Sequence, residues 1–552
     1  MSEATRFNFA DMFEAMVDEV PGRTAVVVGA GRRTYAQLEE RVNRLAHHLE
    51  AAGVEPGQHV GIYAYNSIEW VEALLALHKI RAVPVNVNYR YVEGELRYLF
   101  DNADLVAVIV QREFAPRVAA VISELPELRH VVVIDDGGDA GLDGLDVDVS
   151  TGGGRTVVGF DDALAGASPA REFAVRSPDD IHIIYTGGTT GMPKGVMWRQ
   201  EDIFFALCGG IDAYTNAKME KPSDLVQRVR DGATPVTLFT AAPLMHGAGQ
   251  VATIRCVISG DTAVLMPKFD AEEAWRTVAR EQTNTLMITG DAMARPLADS
   301  LVQLKDELDL SSLFAVSSSA AIFSQSIKDQ FMDLMPNIMV VDSVGATETG
   351  MNGIKVAQHH EKSHGGPATV QPSLDSIVVD DDMNEVVPGS EQIGRVARTG
   401  NIPLGYYKDP ERTAQVFFER DGVRYSVPGD FAKVEADGQI TLLGRGSIVI
   451  NTGGEKVFPE EVEGVLKAHP AVFDVLVVGV ADARWGERVT AVVQPRVGKS
   501  VTVEDLAVHC RTEIAAYKAP KQIFVVDEIV RGPSGKPDYP WAKAYAREHA
   551  DG

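Results

Sequence analysis

The chain has 552 residues, 45% of them hydrophobic, and a formal net charge of −26 at pH 7. This length exceeds what one hydrophobic core usually serves, so we expect two or more domains. The negative charge argues against nucleic acid or an acidic membrane as the main partner. Three distant cysteines without Cys-x-x-Cys spacing predict a reducing compartment and no structural zinc. An acidic N-terminus and the lack of an apolar run of about 18 residues predict a cytoplasmic protein without a transmembrane segment.

Strands and helices alternate along the first part of the chain. The threonine at position 34 is a typical helix N-cap, and leucine and valine follow it at three- and four-residue steps. We predict strands at 25–28, 59–63, 82–86 and 107–110, and helices at 34–49, 68–80 and 96–102. Such alternation indicates an α/β fold with parallel sheets and helical crossovers.

A glycine- and threonine-rich loop follows the apolar run 181–184. Its glycines permit unusual backbone angles, and its hydroxyl and N–H groups can surround phosphate oxygens, with Lys194 adding a positive charge. A P-loop is excluded because Met192 and Pro193 separate the last glycine from the lysine, although an ordinary turn is an alternative. The residues of this predicted phosphate site are Thr186, Gly187, Gly188, Thr189, Thr190, Gly191 and Lys194.

The next segments are less regular. Residues 135–156, before the phosphate loop, indicate a surface loop, whereas 201–212 should be helical and 214–234 a charged, weakly patterned surface segment. His246 lies between a proline turn and a pair of glycines, where its side chain can reach a ligand. A buried structural histidine is the alternative.

Two later strands end in polar loops. The first, from residue 315, leads into Ser319 and Ala320, small residues that let a flat base approach the backbone. The second, 339–341, is followed by the polar stretch 342–350. A carboxylate there, Glu348, would repel phosphate unless it held Mg²⁺, so we expect a magnesium site.

The last part of the chain is richer in β-structure. Segments 394–398 and 405–407 indicate a small barrel-like subdomain that ends at 425–430. Beyond it, a strand and a glycine pair lead into a helix with acidic residues in its first turn. We predict strands at 475–480, 491–493 and 523–526, a helix at 503–516 and a flexible loop at 531–539.

Six of these stretches, in this order, resemble the motifs of the adenylate-forming (AMP-binding) acyl-CoA synthetase superfamily, which includes luciferases and peptide-synthetase adenylation domains. The phosphate loop, the His246 stretch, 342–350, 425–430, 445–463 and 531–539 carry the resemblance. The chain departs from the usual residues at Gly187 (serine), Val344 (tyrosine), Pro428 (threonine) and Ser447 (aspartate or lysine).

The resemblance implies an α/β fold. A large N-terminal domain, 1–444, would hold parallel and mixed sheets flanked by helices and a small β-barrel-like subdomain. A hinge at 445–448 would precede a small mobile α+β domain, 449–552.

It also implies roles for single residues. Asp430 would accept the ribose hydroxyls, Glu348 would hold Mg²⁺, Lys536 would reach the reacting carboxylate and α-phosphate, and His246 would gate the acyl pocket. The implied catalytic residues are Lys536, Glu348, Thr347, Lys194 and His246. Nucleotide binding would add Ser319, Ala320, Asp342, Ser343, Asp430 and Arg445 to the phosphate loop, with Gly453 and Gly454 binding coenzyme A and Ser447 as the hinge. For Asp430 and Lys536 the alternatives are a turn residue and a solvated loop lysine.

The implied reaction is ATP- and Mg²⁺-dependent formation of an acyl-adenylate, followed by transfer to coenzyme A. Alternatives are the loading of a carrier protein, a luciferase-like oxidation and a non-catalytic AMP-binding protein. The expected partners are a small carboxylic acid, ATP and coenzyme A, with the oligomeric state open and a homodimer as one alternative.

The segments 89–98, 196–199, 289–296 and 536–539 most resemble actinobacterial ligases of steroid side-chain carboxylates. Glycines that could leave room for such a bulky acid are Gly209, Gly210, Gly247 and Gly249. A medium- or long-chain fatty acid is the main competing substrate.

Overall fold

The structure is a computed structural model, and it describes residues 5–145, 155–187, 192–319, 321, 323–357, 368–390, 392–452, 455–482, 485–531 and 536–550. The chain divides into two compact units. Unit one comprises Met1–Ile288, Gln303–Ala315 and Asn401–Phe418, and unit two comprises Thr289–Val302, Val316–Gly400 and Glu419–Gly552.

The helices in the described residues are α1 (Phe9–Glu19), α2 (Tyr35–Ala51), α3 (Ile68–Lys79), α4 (Glu93–Asn102), α5 (Ala115–Ile122), α6 (Phe160–Ala165), α7 (Gln200–Leu207), α8 (Asp224–Arg230), α9 (Gly247–Ile258), α10 (Ala271–Glu281), α11 (Gly290–Leu304), α12 (Gln325–Leu334), α13 (Pro410–Val416), α14 (Pro459–Ala468), α15 (Val503–Glu513) and α16 (Tyr539–Glu548).

The strands are β1 (Thr24–Val28), β2 (Gly31–Thr34), β3 (His59–Tyr63), β4 (Val83–Asn86), β5 (Leu105–Gln111), β6 (His130–Ile134), β7 (Thr156–Gly159), β8 (Ile181–Thr186), β9 (Lys194–Arg199), β10 (Thr237–Thr240), β11 (Thr262–Leu265), β12 (Thr285–Ile288), β13 (Ala315–Ser318), β14 (Met339–Ala346), β15 (Gly350–Ala357), β16 (Thr369–Pro372), β17 (Ser376–Val379), β18 (Gly394–Arg398), β19 (Gly405–Tyr406), β20 (Phe417–Arg420), β21 (Val423–Ser426), β22 (Asp430–Val434), β23 (Ile440–Arg445), β24 (Ile450–Thr452), β25 (Glu455–Val457), β26 (Val472–Asp482), β27 (Gly486–Pro495) and β28 (Gln522–Val525).

One sheet of unit one carries the predicted phosphate loop. Its strand order is β19-β9-β8-β4-β3-β5-β6-β7. Neighbouring strands in the series β8-β4-β3-β5-β6-β7 pair in parallel. Strand β9 pairs antiparallel with both β8 and β19. Every residue of β3 and β6 is buried, as expected for parallel strands covered on both faces. The alternation predicted from the sequence is confirmed here, and Thr34 caps α2 through a reciprocal capping box with Gln37.

A second sheet of unit one has the order β2-β1-β11-β10-β12, parallel except for the β1–β2 hairpin. The helix α9, which follows the His246 stretch, packs against β10 and β11 of this sheet. Its burial from Val251 to Ile258 is nearly continuous, so the helix is a core element rather than a surface one.

Unit two contains a mainly antiparallel region in the order β14-β15-β16-β23-β22-β18, with β17 and β21 also pairing with β18. A valine-rich cluster that includes Val370, Val378, Val396 and Ile440 forms its core. This is the predicted β-rich subdomain, but Gly405–Tyr406 does not belong to it. That strand pairs antiparallel with β9 in unit one, where it is the edge strand of the sheet that carries the phosphate loop.

The C-terminal part of unit two is an α+β arrangement. β24, β26 and β27 pair antiparallel, β25 extends β24, and β28 joins β27 in parallel. Two apolar clusters lie on its sheet, one involving α14 and α15 and the other α16. The strands and helix predicted for this part of the chain are confirmed.

One prediction about local structure is wrong here. The helix expected at 201–212 ends at Leu207, because Gly209 adopts a left-handed backbone with φ of +94°. The segment 214–234 is mostly exposed or half-buried, as expected for a surface segment, and it includes the helix α8. None of the helices in the described residues combines the length and apolar character needed to cross a membrane.

Candidate active site

Thr186 and Lys194 face each other at the neck of the predicted phosphate loop. They are opposite residues of the antiparallel strands β8 and β9. The Lys194 ammonium lies 3.8 Å from the Asp409 carboxylate and 5.6 Å from the centre of the Tyr406 ring. Gly188, Thr189, Thr190 and Gly191 lie outside the described residues. The neck therefore places a partly exposed cation at the C-terminal end of the loop.

Asn86, at the end of β4, connects this neck to the His246 stretch. Its side-chain NH₂ donates to the carbonyl oxygens of Tyr185 (2.9 Å) and Met245 (2.7 Å), and its Oδ1 accepts from the Tyr185 N–H (2.8 Å). The side chain is buried, and the strand that Asn86 ends pairs with β8. Asn86 was not identified from the sequence, because no local pattern indicates contacts with residues 99 and 159 positions away.

His246 is the N-cap residue of α9 and is half-buried. Its backbone N–H donates to Pro243, and its carbonyl accepts from Gln250. The backbone before it is held by Asn66, whose side chain bonds to Ala242 and Leu244. The glycines that follow His246 belong to the first turn of the helix rather than to a separate turn, so the backbone fixes the position of His246.

Three of the four glycines expected to leave room for a bulky acid lie close to protein atoms. A Cβ at Gly210 would lie 2.6 Å from the Phe204 ring, and one at Gly249 would lie 2.6 Å from the Pro243 carbonyl oxygen. At Gly247 it would lie 3.2 Å from Ile184, whereas at Gly209, which has a left-handed backbone, the nearest atom is 3.4 Å away in Arg255. Their role in an acyl pocket stays a prediction.

In unit two, Ser319 follows β13. Its hydroxyl oxygen is buried, and no hydrogen-bond partner for it is found among the described residues. Buried hydroxyls usually have a partner, so a bound ligand would be a suitable one. Its neighbour Ser318 accepts a hydrogen bond from the Gly290 N–H at 2.9 Å, and Ala320 lies outside the described residues.

The stretch 342–350 was expected to be a loop beyond a strand, and this expectation is wrong. β14 continues to Ala346, so Asp342 and Ser343 lie in a strand paired with β15. The pairing persists because residue 345 is a glycine. A Cβ at this position would collide with the Gly350 carbonyl oxygen on the partner strand. Asp342 forms an ion pair with Lys328 of α12.

Thr347 and Glu348 form the turn of this hairpin. Two buried side chains donate hydrogen bonds to its backbone carbonyl groups. The Ser426 hydroxyl donates to the Glu348 carbonyl oxygen at 2.6 Å, and the Arg398 guanidinium donates to the Met351 carbonyl. Burial lowers the pKa of Arg398 to about 10, so it is still positively charged at pH 7. Neither contact was predicted from the sequence.

The antiparallel strands β22 and β23 bring two predicted nucleotide-binding residues together. Asp430, the first residue of β22, lies opposite Arg445, the last residue of β23. The Gly446 N–H donates to the Gly429 carbonyl at 3.1 Å, which closes this end of the hairpin. Ser447 lies in the 3-10 turn Gly446–Ile448 that follows, and Gly453 and Gly454 lie outside the described residues.

Lys536 lies in a loop that is anchored on both sides. Before it, the Arg531 guanidinium contacts the Asp474 carboxylate, with Nη2 2.6 Å from Oδ2. After it, the Tyr539 hydroxyl lies 3.2 Å from the Glu463 carboxylate. Burial raises the pKa of Glu463 to about 7. The two anchors limit the positions that Lys536 can reach.

A magnesium ion fits these residues only in part. The described residues contain no group of three or more His, Cys, Asp or Glu side chains that could hold a metal ion by themselves. Mg²⁺ bound with a nucleotide needs only one or two carboxylates, since phosphate oxygens and water supply the other ligands. The Glu348 carboxylate, held in a fixed turn, provides a donor of the right type.

Comparison with known proteins identifies the family of this chain. The profile of the AMP-binding enzyme family matches residues 13–407, and that of the AMP-binding enzyme C-terminal domain matches residues 461–536. The chain belongs to the AMP-binding enzyme family. The family and fold class predicted from the motifs are therefore confirmed.

Relatives of this AMP-binding enzyme cover almost its whole length. A 3-oxocholest-4-en-26-oate–CoA ligase of Rhodococcus rhodochrous is 52% identical over 542 residues, covering 97% of this chain and 95% of the relative. A medium/long-chain-fatty-acid–CoA/3-oxocholest-4-en-26-oate–CoA ligase of Mycobacterium tuberculosis is 50% identical, covering 98% and 96%. The crystal structure of an anthranilate CoA ligase with anthranoyl-AMP matches with a TM-score of 0.82, 24% identity and full coverage of both chains. The predicted enzyme class, an AMP-forming acyl-CoA ligase, agrees with these names.

Proposed function

We propose that this AMP-binding enzyme activates the side-chain carboxylate of a steroid acid and transfers the acyl group to coenzyme A. The observation that supports the substrate is the near-full-length likeness to relatives named as 3-oxocholest-4-en-26-oate–CoA ligases. A medium- or long-chain fatty acid is the second candidate, because the mycobacterial relative is also named for it.

The reaction has two steps. A carboxylate oxygen of the acid attacks the α-phosphorus of ATP, the bond to pyrophosphate breaks, and an acyl-adenylate forms. The sulfur of coenzyme A then attacks the acyl carbon, AMP leaves, and the thiol proton goes to solvent or a nearby base. The first transition state gathers negative charge on phosphate oxygens, so positioning and cationic contacts supply most of the catalysis.

The nucleotide-binding roles fall to separate groups of residues. Lys194 and the loop that begins at Thr186 would bind phosphate oxygens. The residues proposed for adenine are Ser319, Ala320, Asp342 and Ser343. Asp430 would accept the ribose hydroxyls, with Arg445 beside it in the sheet register.

Glu348 would hold Mg²⁺ with the ATP phosphates, and Thr347 beside it would contact the nucleotide. When bound, the ion neutralises phosphate charge and favours departure of pyrophosphate. The support for this role is that the turn is held in place, since Ser426 bonds to the Glu348 carbonyl and Arg398 bonds to the Met351 carbonyl that follows it.

We also propose that residues 449–552 form a mobile domain that rotates at Ser447. Lys536 would contact the reacting oxygens during adenylation, and Gly453 and Gly454 would line the coenzyme A channel after rotation. His246 would gate the acyl pocket. A cytoplasmic location is supported by three buried free thiols, Cys208, Cys256 and Cys510, which suit a reducing compartment.

The test is a substrate screen by pyrophosphate release, with and without coenzyme A. We expect kcat/KM for 3-oxocholest-4-en-26-oate to exceed that for palmitate by at least about tenfold, about 1.4 kcal/mol of transition-state binding. Equal or faster turnover of palmitate would refute the steroid assignment and favour the fatty-acid candidate.

The same screen separates the remaining alternatives. A CoA ligase converts the adenylate into a thioester only when coenzyme A is present. Adenylate that accumulates and passes to a carrier protein instead would identify a loading enzyme, and light emission that requires oxygen would identify a luciferase-like reaction.

A further inference from the structure

A chain of buried charges runs through unit two towards the Lys536 loop. It starts at Asp291 in the first turn of α11, passes Lys467 of α14 and Asp474 of β26, and ends at Arg531. Positive and negative groups alternate, so each charge has an opposite neighbour. None of the proposed catalytic roles uses the first three residues.

Asp291 is held in place by both carboxylate oxygens. Oδ1 accepts a hydrogen bond from the Ser324 N–H at 2.7 Å, and Oδ2 lies 3.5 Å from the Lys467 ammonium. One turn further along α11, the Arg295 guanidinium lies 4.6 Å from the centre of the Phe473 ring, the residue before Asp474. The first turns of α11 therefore contact both α14 and β26.

Lys467 joins the two aspartates. Its side chain is only 2% exposed, and its ammonium lies 3.3 Å from Asp474 Oδ1 in addition to the contact with Asp291. Burial disfavours its charge, yet Asp474 and Asp291 together raise the pKa of Lys467. Burial likewise opposes ionisation of Asp474, but Lys467 and Arg531 lower its pKa. Removing one partner of a buried ion pair leaves the other charge buried without compensation and destabilises the fold. The contacts of Asp291, Lys467, Asp474 and Arg531 therefore depend on one another.

The far end of this chain of charges is the base of the Lys536 loop. The Arg531 guanidinium contacts both oxygens of Asp474, with nitrogen–oxygen distances of 2.6 to 2.9 Å. The backbones of Arg531 and Pro537 pair with each other across the loop. A shift of Asp474 would therefore move both ends of the segment that carries Lys536.

We infer that Asp291 is a positioning residue for adenylation: through Lys467 and Asp474 it holds the Lys536 loop in the orientation that reaches the reacting oxygens. The inference rests on the proposed function, since it assigns Lys536 to the first half-reaction. Asp291 lies in the proposed large domain and the other three residues lie in the proposed mobile domain. We assign the orientation in which Asp291 contacts Lys467 to adenylation, since rotation at the hinge would separate these two residues.

Asp291→Asn tests this with little disturbance. The amide oxygen still accepts from the Ser324 N–H, but the negative charge that faces Lys467 is lost. Asp299→Asn is the matched control, because Asp299 lies on the same helix and is exposed. Lys536→Ala is the reference for loss of the lysine itself. Each variant is assayed for pyrophosphate release with palmitate or 3-oxocholest-4-en-26-oate, whichever the parent enzyme uses faster, and for thioester formation from the synthetic acyl-AMP and coenzyme A.

The expected result is an adenylation rate about tenfold lower in Asp291→Asn, with thioester formation within twofold of the parent and no change in Asp299→Asn. Lys467→Met should slow adenylation similarly, and adding Asp291→Asn to it should cost nothing further, because the two residues act through one contact. A structural role alone would lower both half-reactions together.

Three results would overturn the inference alone, and a fourth would overturn it together with the role of Lys536. The first is normal adenylation by Asp291→Asn while Lys536→Ala is slow, which leaves the proposed function intact. The second is an equal loss in both half-reactions, and the third is full additivity of Asp291→Asn and Lys467→Met. Normal adenylation by Lys536→Ala would instead refute the role of Lys536 and the inference with it.

Discussion

Replacement of Asn86 by alanine tests whether one buried amide aligns the phosphate loop with the His246 stretch. The change removes three hydrogen bonds and leaves two carbonyl oxygens and one N–H of the backbone buried without this partner. At about 1 kcal/mol net for each bond, and more for each group left unsatisfied, the free energy of unfolding should fall by about 3 kcal/mol or more. Because both loops lose a common anchor, KM for ATP should rise and kcat of adenylation should fall.

The measurements are denaturant unfolding and pyrophosphate release as a function of ATP concentration. Asn66→Ala is the matched control, because Asn66 also makes buried bonds to the stretch before His246 but none to Tyr185. It should lose stability without the rise in KM for ATP.

Asn86→Asp sharpens the comparison. The carboxylate can still accept from the Tyr185 N–H, but it opposes the Tyr185 and Met245 carbonyl oxygens, so it should be at least as harmful as alanine. A loss below about 1 kcal/mol with normal ATP kinetics in Asn86→Ala would refute the reasoning.

Three further predictions concern other residues. Lys536→Ala should slow adenylation by roughly a hundredfold or more, yet use synthetic acyl-AMP and coenzyme A at nearly the normal rate; a near-normal adenylation rate would mark Lys536 as a solvated lysine. Asp430→Ala should weaken ATP and AMP binding by about 1.5–3 kcal/mol in calorimetry, because a charged acceptor for the ribose is lost, and unchanged affinity in a folded variant would remove Asp430 from the site. Burial lowers the pKa of His182 from 6.5 to about 4, so the folded chain binds fewer protons than the unfolded chain between these values, and stability should fall as pH drops through this window, by about 3 kcal/mol for this residue. His182→Gln should flatten the pH dependence of unfolding accordingly, whereas an unchanged slope would contradict the assignment.

Local patterns predicted the regular elements well, because helix capping and side-chain periodicity act over a few residues. Thr34 caps α2 as expected, and the buried strand β3 coincides with the predicted strand at 59–63. The same approach failed where one residue changed the backbone. A left-handed glycine at position 209 ended a helix, and the glycine at 345 allowed a strand to continue where a loop was expected.

The sequence by itself determined the family, the order of the motifs and the residue types at each of them. Only the tertiary structure decided what supports those residues. No sequence pattern gave a role to Asn86, Ser426 or Asp291 themselves, yet each bonds to backbone or charge 78 to 176 residues away. Such contacts depend on strand register and on which helix packs where, and these are set by burial of the whole core rather than by any local pattern.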